Sequence, residues 1–426
     1  MSCITNLHKH IDCQLTLPLS KSIVNRLLVI NHIAGNSCPV ELISDASDTR
    51  TMQLLLREIS NKSGKYSTTT EINVGNAGTV MRFLTALLSV TPGKWHITGT
   101  ERMQQRPIQP LTDALQHLGA DLTFGKNSGF PPVNISGNPQ LDGGKVQLDA
   151  GISSQFISAL MMLGPILKGG LTIELIGDII SGSYIRMTQN LMKKCGAGVS
   201  FDENRVVIEQ RNYRNINFTQ LLEPDWSAAA FWYEVAALAP EAKILLKGLR
   251  EQSVQGDSVL PQIYESLGVN SVFTGEGLLI TKSGQPITGE FNYDFTECPD
   301  LAQAVIVTCA ALGIKGRFSG LKTLRVKETD RIAAIKNELT KLGYHVDIVE
   351  NRIVTFGKIP QNKDNTPPVV INCYDDHRMA MSFAPLALLH ENICLDEPDV
   401  VRKSYPDFWK DLEKAGLLLG NGKIEK

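Results

Sequence analysis

The sequence predicts an α/β protein that is divided into two lobes of repeated helix–strand units. With 426 residues, the chain is longer than one ordinary hydrophobic core and suggests two or three domains. Five segments also read alike, and each has the pattern of an amphipathic helix that ends at a glycine. These glycines lie 72 to 77 residues apart: Gly119, Gly196, Gly268, Gly343 and Gly416.

Each repeat reads as a helix followed by a strand. Apolar residues stand four positions and one position before each glycine, which places them on one helical face. The glycine fits the left-handed position that ends a helix. Alternating residues typical of a strand follow the first four glycines, as at residues 122–124. A degraded copy at residues 52–60 would make six units, three in each lobe. The alternatives are junctions that any α/β protein contains, or a solenoid, for which each unit is long.

Composition and charge exclude several classes of protein. A net charge of −2 gives no basic field of the kind that attracts nucleic acid or anionic membranes. The longest uncharged apolar runs are shorter than the ~20 residues that span a bilayer. The first residues lack the apolar core of a signal peptide. We therefore expect a cytoplasmic protein that binds neither nucleic acid nor membranes.

The cysteines predict neither a metal site nor disulfides. None of them forms a CxxC pair, and no cluster of cysteine and histidine has the spacing of zinc ligands. Several stand in apolar runs, where a free cysteine acts as a small hydrophobic residue. We expect reduced thiols at all eight positions: Cys3, Cys13, Cys38, Cys195, Cys298, Cys309, Cys373 and Cys394.

The stretch LPLSKSIVNR, residues 17–26, predicts a helix whose start carries hydroxyl groups and cations. Ser20 or Ser22 can cap this helix, and Lys21 and Arg26 lie at its beginning. Free N–H groups, the positive end of the helix dipole and two cations together favour an anion. The alternative is an ordinary solvated helix with a cationic surface.

Three further stretches of the first half place polar groups before predicted helices. In VGNAGTVMRF, Gly75 and Gly78 let a ligand approach the backbone, Thr79 can cap the helix, and a plain strand–turn–helix junction is the alternative. ERMQQRPIQPL places Arg106 just before a helix that has a proline in its first turn. In AGISSQF, residues 153–155 open an apolar helix, either as a cap or as donors to a bound phosphate or polyol.

The second half carries charged residues at predicted helix starts. Asp300 precedes a strongly apolar helix, where a cap is the simpler interpretation. In LRVKETDR, Lys327 and Arg331 stand four residues apart with Glu328 between them, which a salt-bridged helix start also explains. The stretch YDDHRMAM places two acids, a histidine and Arg378 before a buried helix, and Lys403 stands in VVRKSYPDFW. If these cations converge, only an anionic substrate would offset their repulsion.

Taken together, the motifs resemble those of the enolpyruvyl transferases. LPLSKSIVNR, GNAGTVMR, QRPI, SSQF, RVKETDR, DDHRMAM and RKSYPDF occur in the order that this family has, over essentially the whole chain. The family branch that acts on shikimate 3-phosphate is the most similar. The resemblance implies transfer of the enolpyruvyl group of phosphoenolpyruvate to the 5-hydroxyl of shikimate 3-phosphate, by a monomer that needs no cofactor and no metal.

The resemblance also implies a fold and its domain boundaries. The fold would be a two-lobed inverse α/β barrel, in which each lobe has three βαβ-type units with internal helices and outer sheets. Residues 1–19 and 224–426 would form one lobe, and residues 20–223 the inserted lobe. The active site would lie in the cleft between the lobes.

By similarity, the two substrates and the proton transfers have assigned residues. Asp300, Glu328 and Lys21 would be catalytic, with Asp300 as the base for the hydroxyl and the other two serving the methylene carbon. Shikimate 3-phosphate would be held by Lys21, Ser22, Arg26, Ser153, Ser154, Gln155, Ser181, Tyr184, Asp300, Thr323 and Lys327. Phosphoenolpyruvate would be held by Lys21, Asn76, Gly78, Arg106, Gln155, Arg331, Arg378 and Lys403.

The sequence departs from the family pattern at four positions. Leu19 replaces a common glycine, and Asp375 stands where asparagine is usual. Thr323 occupies the place of a common asparagine ligand. Phe83 replaces a common proline beside the loop that binds glyphosate in this family.

Two alternative functions compete with this one. The sister enzyme acts on UDP-N-acetylglucosamine, but its active-site cysteine has no counterpart in QQRPIQPL. A two-lobed binding protein for anionic metabolites would need the cations, but neither Asp300 nor Glu328.

Overall fold

A computed structural model describes residues 2–7, 10–36, 43–215, 217–284, 289–357, 368–391 and 393–421. The chain divides into two compact units. Unit 1 consists of Met1–Ser20 and Glu223–Lys426, and unit 2 is the continuous stretch Lys21–Leu222. Cys38 lies outside the described residues.

The described residues form both helices and strands, in alternation. The α-helices are α1 (Lys21–Ile33), α2 (Ser47–Lys62), α3 (Gly78–Val90), α4 (Gln109–His117), α5 (Ser154–Leu163), α6 (Gly182–Lys194), α7 (Trp226–Leu238), α8 (Leu260–Glu265), α9 (Ala302–Ala311), α10 (Arg331–Lys341), α11 (His377–Phe383) and α12 (Phe408–Lys414). The strands are β1 (Ser2–Asn6), β2 (His10–Thr16), β3 (Thr69–Asn73), β4 (Gly93–Thr98), β5 (Asp121–Phe124), β6 (Val133–Gly137), β7 (Asp142–Asp149), β8 (Lys168–Ile176), β9 (Val199–Asp202), β10 (Arg205–Ile208), β11 (Glu241–Lys247), β12 (Val269–Phe273), β13 (Gly277–Lys282), β14 (Glu290–Asp294), β15 (Lys315–Ser319), β16 (Val346–Val349), β17 (Arg352–Phe356), β18 (Val369–Ile371), β19 (Ile393–Leu395) and β20 (Leu417–Asn421).

Five four-stranded sheets, as far as the chain is described, share one topology. Their orders are β3-β4-β6-β5 and β7-β8-β10-β9 in unit 2, and β2-β11-β13-β12, β14-β15-β17-β16 and β18-β19-β1-β20 in unit 1. In each sheet the first two strands are parallel, and the other pairings are antiparallel. A helix precedes the second strand of each parallel pair, and the whole of unit 2 also lies between β2 and β11. The predicted repeat is therefore present in the fold.

In both units, three helices pack against one another in the interior. In unit 1, α7, α9 and α11 are buried along their whole length and contact one another. In unit 2, α1, α3 and α5 make the corresponding contacts. The strands alternate between buried and exposed side chains, as β11 does, so one sheet face covers the helices. Internal helices and outer sheets were the predicted arrangement.

All five repeat glycines have the backbone conformation that the sequence predicts. Their φ angles lie between +81° and +93°, in the left-handed region that favours glycine. A strand follows each of them, including the fifth, where β20 begins directly after Gly416. The sequence predicted strands after the first four alone, because the residues after Gly416 are apolar without alternation.

The two connections between the units run side by side as a short antiparallel pair within unit 1. Leu19 forms an isolated bridge with Pro224, and the Ser20 amide donates to the Glu223 carbonyl at 2.8 Å. The Asp225 amide donates to the carbonyl of Pro18 at 2.8 Å. A leucine suits this extended pairing, because the bridge needs no positive φ.

The prediction of eight reduced cysteines is wrong at two positions. Cys3 on β1 and Cys394 on β19 are directly opposite in the antiparallel register and are joined by a disulfide. No local pattern indicates this pairing, because 391 residues separate the two cysteines. Cys13, Cys195, Cys298, Cys309 and Cys373 are free thiols. Among the described residues, no helix is both long and apolar enough to cross a membrane.

Candidate active site

In unit 2, the start of α1 places Lys21 and Arg26 among polar partners. The Nζ atom of Lys21 lies 2.9 Å from Oδ2 of Asp48, at the start of α2. Ser22 lies in the first turn, where its carbonyl accepts a hydrogen bond from Arg26 Nη1 at 2.9 Å. The helix begins at Lys21, so Ser20 directly precedes it.

Arg26 is buried and is held by neutral groups. Its Nε donates to Oγ1 of Thr188 at 2.7 Å, and its Nη2 donates to Oγ of Ser158 at 3.0 Å. The guanidinium lies over the rings of Phe83 and Tyr184, at 5.3 Å and 5.8 Å from their centroids. Burial lowers the pKa of Arg26 to about 10, and no carboxylate pairs with it among the described residues. A buried cation without a counter-ion is ready to accept an anion.

The start of α3 brings two more arginines against a glycine. A Cβ atom at Gly78 would lie 2.6 Å from Nη2 of Arg106 and 2.6 Å from Nη1 of Arg82. Arg82 Nη1 donates to the Gly78 carbonyl at 3.0 Å. Arg106 is buried, and its Nε and Nη1 have no hydrogen-bond partner in the described part of the chain. Thr79 does not cap α3 as predicted, because the helix already begins at Gly78.

The remaining predicted residues of unit 2 also lie at helix starts. Ser153 caps α5 by accepting from the Gln155 amide at 3.3 Å, and Ser154 is the first residue of the helix. The Gln155 side chain donates to Oγ1 of Thr79 at 3.1 Å, which joins the starts of α5 and α3. Ser181 directly precedes α6 with a φ of 61°, an unusual value for a serine. Asn76 is half-buried in the turn before α3.

In unit 1, Arg331 is the centre of a buried ionic cluster. Its Nε and Nη2 bind both carboxylate oxygens of Asp376, at 2.7 Å and 3.2 Å. Its Nη1 lies 3.2 Å from Oδ1 of Asp300, and its Nη2 lies 3.1 Å from Oε2 of Glu328. Burial alone would lower the pKa of Arg331, but the three carboxylates, Asp376 first among them, raise it. This side chain therefore stays charged and orients three acids.

Asp300 faces three cations instead of capping a helix. It lies in the 3₁₀ helix Pro299–Leu301, and α9 begins after it. Lys327 Nζ lies 3.6 Å from Oδ1, and Arg378 Nη2 lies 3.5 Å from Oδ2. Arg378 Nη1 also donates to the Asp300 carbonyl at 3.0 Å. Burial lowers the pKa of Lys327, and Asp300 partly offsets this effect.

Glu328 connects the cluster to Lys403. Lys403 is buried at the end of the 3₁₀ helix Pro398–Lys403, and its Nζ lies 3.8 Å from Oε1 of Glu328. Thr323 is buried in the 3₁₀ helix Lys322–Val326, and its hydroxyl has no hydrogen-bond partner among the described residues. Asp375 has a φ of 50°, which aspartate and asparagine tolerate better than most residues.

Several residues of these clusters were missed by the sequence analysis. Asp376 caps α11 by accepting from the Arg378 amide at 3.0 Å. It also binds Arg331, and the sequence does not indicate this second contact because the two residues are 45 positions apart. Three others are partners of predicted cations, and their contacts cross between helices: Asp48, Ser158 and Thr188. Arg82 instead donates to the Gly78 carbonyl within α3. The type of residue alone carried no signal for them.

Asp257 is a further buried acid near Asp300. Burial raises its pKa to about 7, and the charge of Asp300 adds to this effect. The hydroxyl of Ser227 donates a short hydrogen bond to Asp257, and the charge of Arg378 acts in the opposite direction to burial. Across the described part of the chain, no group of three or more potential metal ligands is placed to hold an ion.

The structure thus combines a repeated α/β fold with cations at helix starts in both units and with carboxylates among the cations of unit 1. A sequence model of the family "EPSP synthase (3-phosphoshikimate 1-carboxyvinyltransferase)" matches residues 6–412. The chain belongs to the EPSP synthase family.

Individual relatives and solved structures agree with this assignment. A 3-phosphoshikimate 1-carboxyvinyltransferase of Bacteroides fragilis is 44% identical over 99% of this chain and 100% of its own length. One from Methanospirillum hungatei is 34% identical over 93% of this chain and 94% of its own. The structure of EPSP synthase from Acinetobacter baumannii has a TM-score of 0.73 at 22% identity, covering 99% of this chain and 100% of that one, which confirms the α/β fold.

Proposed function

We propose that the chain transfers the enolpyruvyl group of phosphoenolpyruvate to the 5-hydroxyl of shikimate 3-phosphate and releases phosphate. The observation that carries this proposal is the family match over residues 6–412, which includes every helix start described above. The product, 5-enolpyruvylshikimate 3-phosphate, places the enzyme in the shikimate pathway, which leads to chorismate and the aromatic amino acids.

The cations of unit 2 suit the anionic groups of both substrates. Arg26 offers unused N–H donors and, with Ser22, Ser153, Ser154, Gln155, Ser181 and Tyr184, would bind shikimate 3-phosphate. Arg106, whose buried guanidinium has free donors, would bind phosphoenolpyruvate beside Gly78 and Asn76. A planar guanidinium binds the paired oxygens of phosphate and carboxylate well.

The ionic cluster of unit 1 suits the proton transfers. The 5-hydroxyl oxygen bonds to the central carbon of phosphoenolpyruvate, its proton leaves, and the methylene carbon gains a proton. A second step removes a proton from that carbon and expels phosphate. Asp300 would act as the base for the hydroxyl, while Glu328 and Lys21 would exchange protons at the methylene carbon. Lys327 and Thr323 would contact shikimate 3-phosphate, and Arg331, Arg378 and Lys403 would contact phosphoenolpyruvate.

The same proposal includes the physical state of the enzyme. Residues 1–19 with 224–426, and residues 20–223, would be two lobes that serve one reaction at a shared active-site cleft. We expect a cytoplasmic monomer that needs neither a metal nor an organic cofactor. Activity that survives chelation, together with the mass of one chain on gel filtration with light scattering, would support this state.

A two-substrate phosphate assay tests the reaction. We expect phosphate release when phosphoenolpyruvate and shikimate 3-phosphate are both present, and none when either is left out. Release with UDP-N-acetylglucosamine as acceptor would assign the chain to the sister enzyme instead. Binding of both substrates without any release would favour a binding protein.

A further inference from the structure

The guanidinium of Arg26 is held without an opposite charge. Its side chain is 2% exposed, and its three hydrogen bonds go to the Ser22 carbonyl and to the hydroxyls of Thr188 and Ser158. All three acceptors are neutral oxygens. A guanidinium has five N–H donors, so three bonds leave two donors for a ligand. Burying a charge in this way is costly unless other groups compensate for it.

Two aromatic rings supply part of that compensation. The guanidinium lies 5.3 Å from the ring centroid of Phe83 on α3 and 5.8 Å from that of Tyr184 on α6. Both distances fall within the range of cation–π attraction, which is stronger for a desolvated cation. The Phe83 ring is the nearer one, and it is 1% exposed, so water does not compete for its face.

The position of Phe83 is fixed by its helix. α3 is buried along nearly its whole length and packs against α1, which carries Arg26, and against α5, which carries Ser158. The hydroxyls of Thr188 and Ser158 accept hydrogen bonds from Nε and Nη2 of Arg26, while the Phe83 ring attracts the cation. The guanidinium is therefore held by two hydroxyl groups and by an aromatic ring, which together fix the position of its two remaining donors.

We propose that Phe83 is a positioning residue, whose ring face orients Arg26 for the anionic groups of shikimate 3-phosphate. This inference rests on the proposed function, because Arg26 is the residue assigned there to this substrate. The ring would act on the affinity for shikimate 3-phosphate and leave the chemical step and the affinity for phosphoenolpyruvate unchanged.

Fluorinated phenylalanines at position 83 test this proposal, because fluorine withdraws electron density from the ring face and nearly preserves its shape. With 4-fluoro-, 3,5-difluoro- and 3,4,5-trifluorophenylalanine, the KM and the binding Kd of shikimate 3-phosphate should rise stepwise, to about fivefold to tenfold in the last. The kcat and the KM of phosphoenolpyruvate should stay within about twofold, since the ring acts through Arg26.

Phe218 offers a matched control in the same unit. It is also buried, and among the described residues no cation lies over its ring. The same fluorinated series at Phe218 should leave all four constants unchanged. A flat series at position 83, or equal changes in kcat and KM, would overturn the positioning role. Absence of phosphate release from the unmodified enzyme would instead refute the proposed function itself.

Discussion

Two buried arginines, Arg26 in unit 2 and Arg331 in unit 1, lie at helix starts and have opposite surroundings. Arg26 contacts hydroxyls, a carbonyl and ring faces, and burial lowers its pKa to about 10. Arg331 contacts three carboxylates, which raise its pKa in spite of burial. The same residue type is therefore left without a counter-ion in one unit and neutralised by neighbouring acids in the other.

The difference indicates a division of tasks between the units. A guanidinium without a counter-ion gains most from a bound anion, because the anion replaces a missing partner. A guanidinium that already binds Asp376, Asp300 and Glu328 orients these acids, two of which we propose as proton carriers. Unit 2 would thus contribute mainly substrate binding, and unit 1 both binding and proton transfer.

The substitution with the largest expected effect removes the proposed base, Asp300, and leaves substrate binding nearly unchanged. We expect Asp300→Asn to lower kcat by about 10²- to 10⁴-fold, because the amide cannot accept the hydroxyl proton. Its KM values should change by less than about fivefold, since the cations around position 300 remain. Steady-state kinetics with both substrates measure this split.

Glu290→Gln is the control for that variant. Glu290 also lies beside two cations, Lys315 and Arg317, but on an exposed part of the sheet. This variant should behave as the parent enzyme. An equal loss of turnover and of binding in Asp300→Asn would show that Asp300 is not the base.

A pair of substitutions compares the two arginines directly. Arg331→Met should lower the free energy of unfolding by about 3–5 kcal/mol, because three buried acids lose their common partner. Arg26→Met should lower it by less than about 1 kcal/mol, because neutral partners need no counter-charge. The same Arg26→Met variant should bind shikimate 3-phosphate far more weakly. Urea denaturation and substrate titration measure both effects, and equal losses of stability would contradict the comparison.

The fold could be predicted mainly because its unit is repeated. Each helix–glycine–strand junction is a local signal, and five copies at regular spacing confirm one another, so Gly119 and Gly343 could be interpreted together. The strand after Gly416 was missed because its residues do not alternate. The disulfide between Cys3 and Cys394 was missed because pairing of the first strand with a strand near the end of the chain is a long-range property.

The site could be predicted only in part, because its partners come from different helices. The motifs that carry Arg26 and Arg331 could be recognised from short stretches of sequence. Their surroundings could not, since Thr188 and Ser158 reach Arg26 across 162 and 132 residues of chain. Asp300 shows the same limit, because its position before an apolar helix suggested a cap, while its contacts are with cations.

A smaller effect is expected from the buried acids of unit 1, in how the stability of the protein depends on pH. Burial raises the pKa of Asp257 from the usual carboxyl range to about 7. The native state therefore holds a proton that the unfolded chain loses near pH 4, and stability falls as the pH rises from about 4 to about 7. Asp257→Asn lacks this titration, so it should gain stability relative to the parent over that range, by about 2–4 kcal/mol in total.

Asp294 provides a control of opposite sign for the pH experiment. Its burial would raise its pKa, but hydrogen bonds from Ser319 and Thr296 lower it. Asp294→Asn should therefore lose stability relative to the parent as the pH rises through the carboxyl range. Denaturation at a series of pH values measures the stability of both variants relative to the parent. If the stability difference between Asp257→Asn and the parent did not change with pH, Asp257 would be ionised in the native state.

The smallest expected effect comes from a substitution at Gly78, at the start of α3 in unit 2. Gly78→Ala suits a helix, so the free energy of unfolding should change by less than about 1 kcal/mol. The new Cβ would lie 2.6 Å from the guanidinium nitrogens of Arg82 and Arg106, so both flexible side chains must shift. We expect the KM of phosphoenolpyruvate to rise about tenfold, a cost of about 1.4 kcal/mol, and inhibition by glyphosate to weaken.

Gly275→Ala is the control, because no atom lies within 4 Å of the Cβ that it would add. If Gly78→Ala left the KM of phosphoenolpyruvate and the inhibition by glyphosate unchanged, Arg106 would not bind phosphoenolpyruvate beside Gly78.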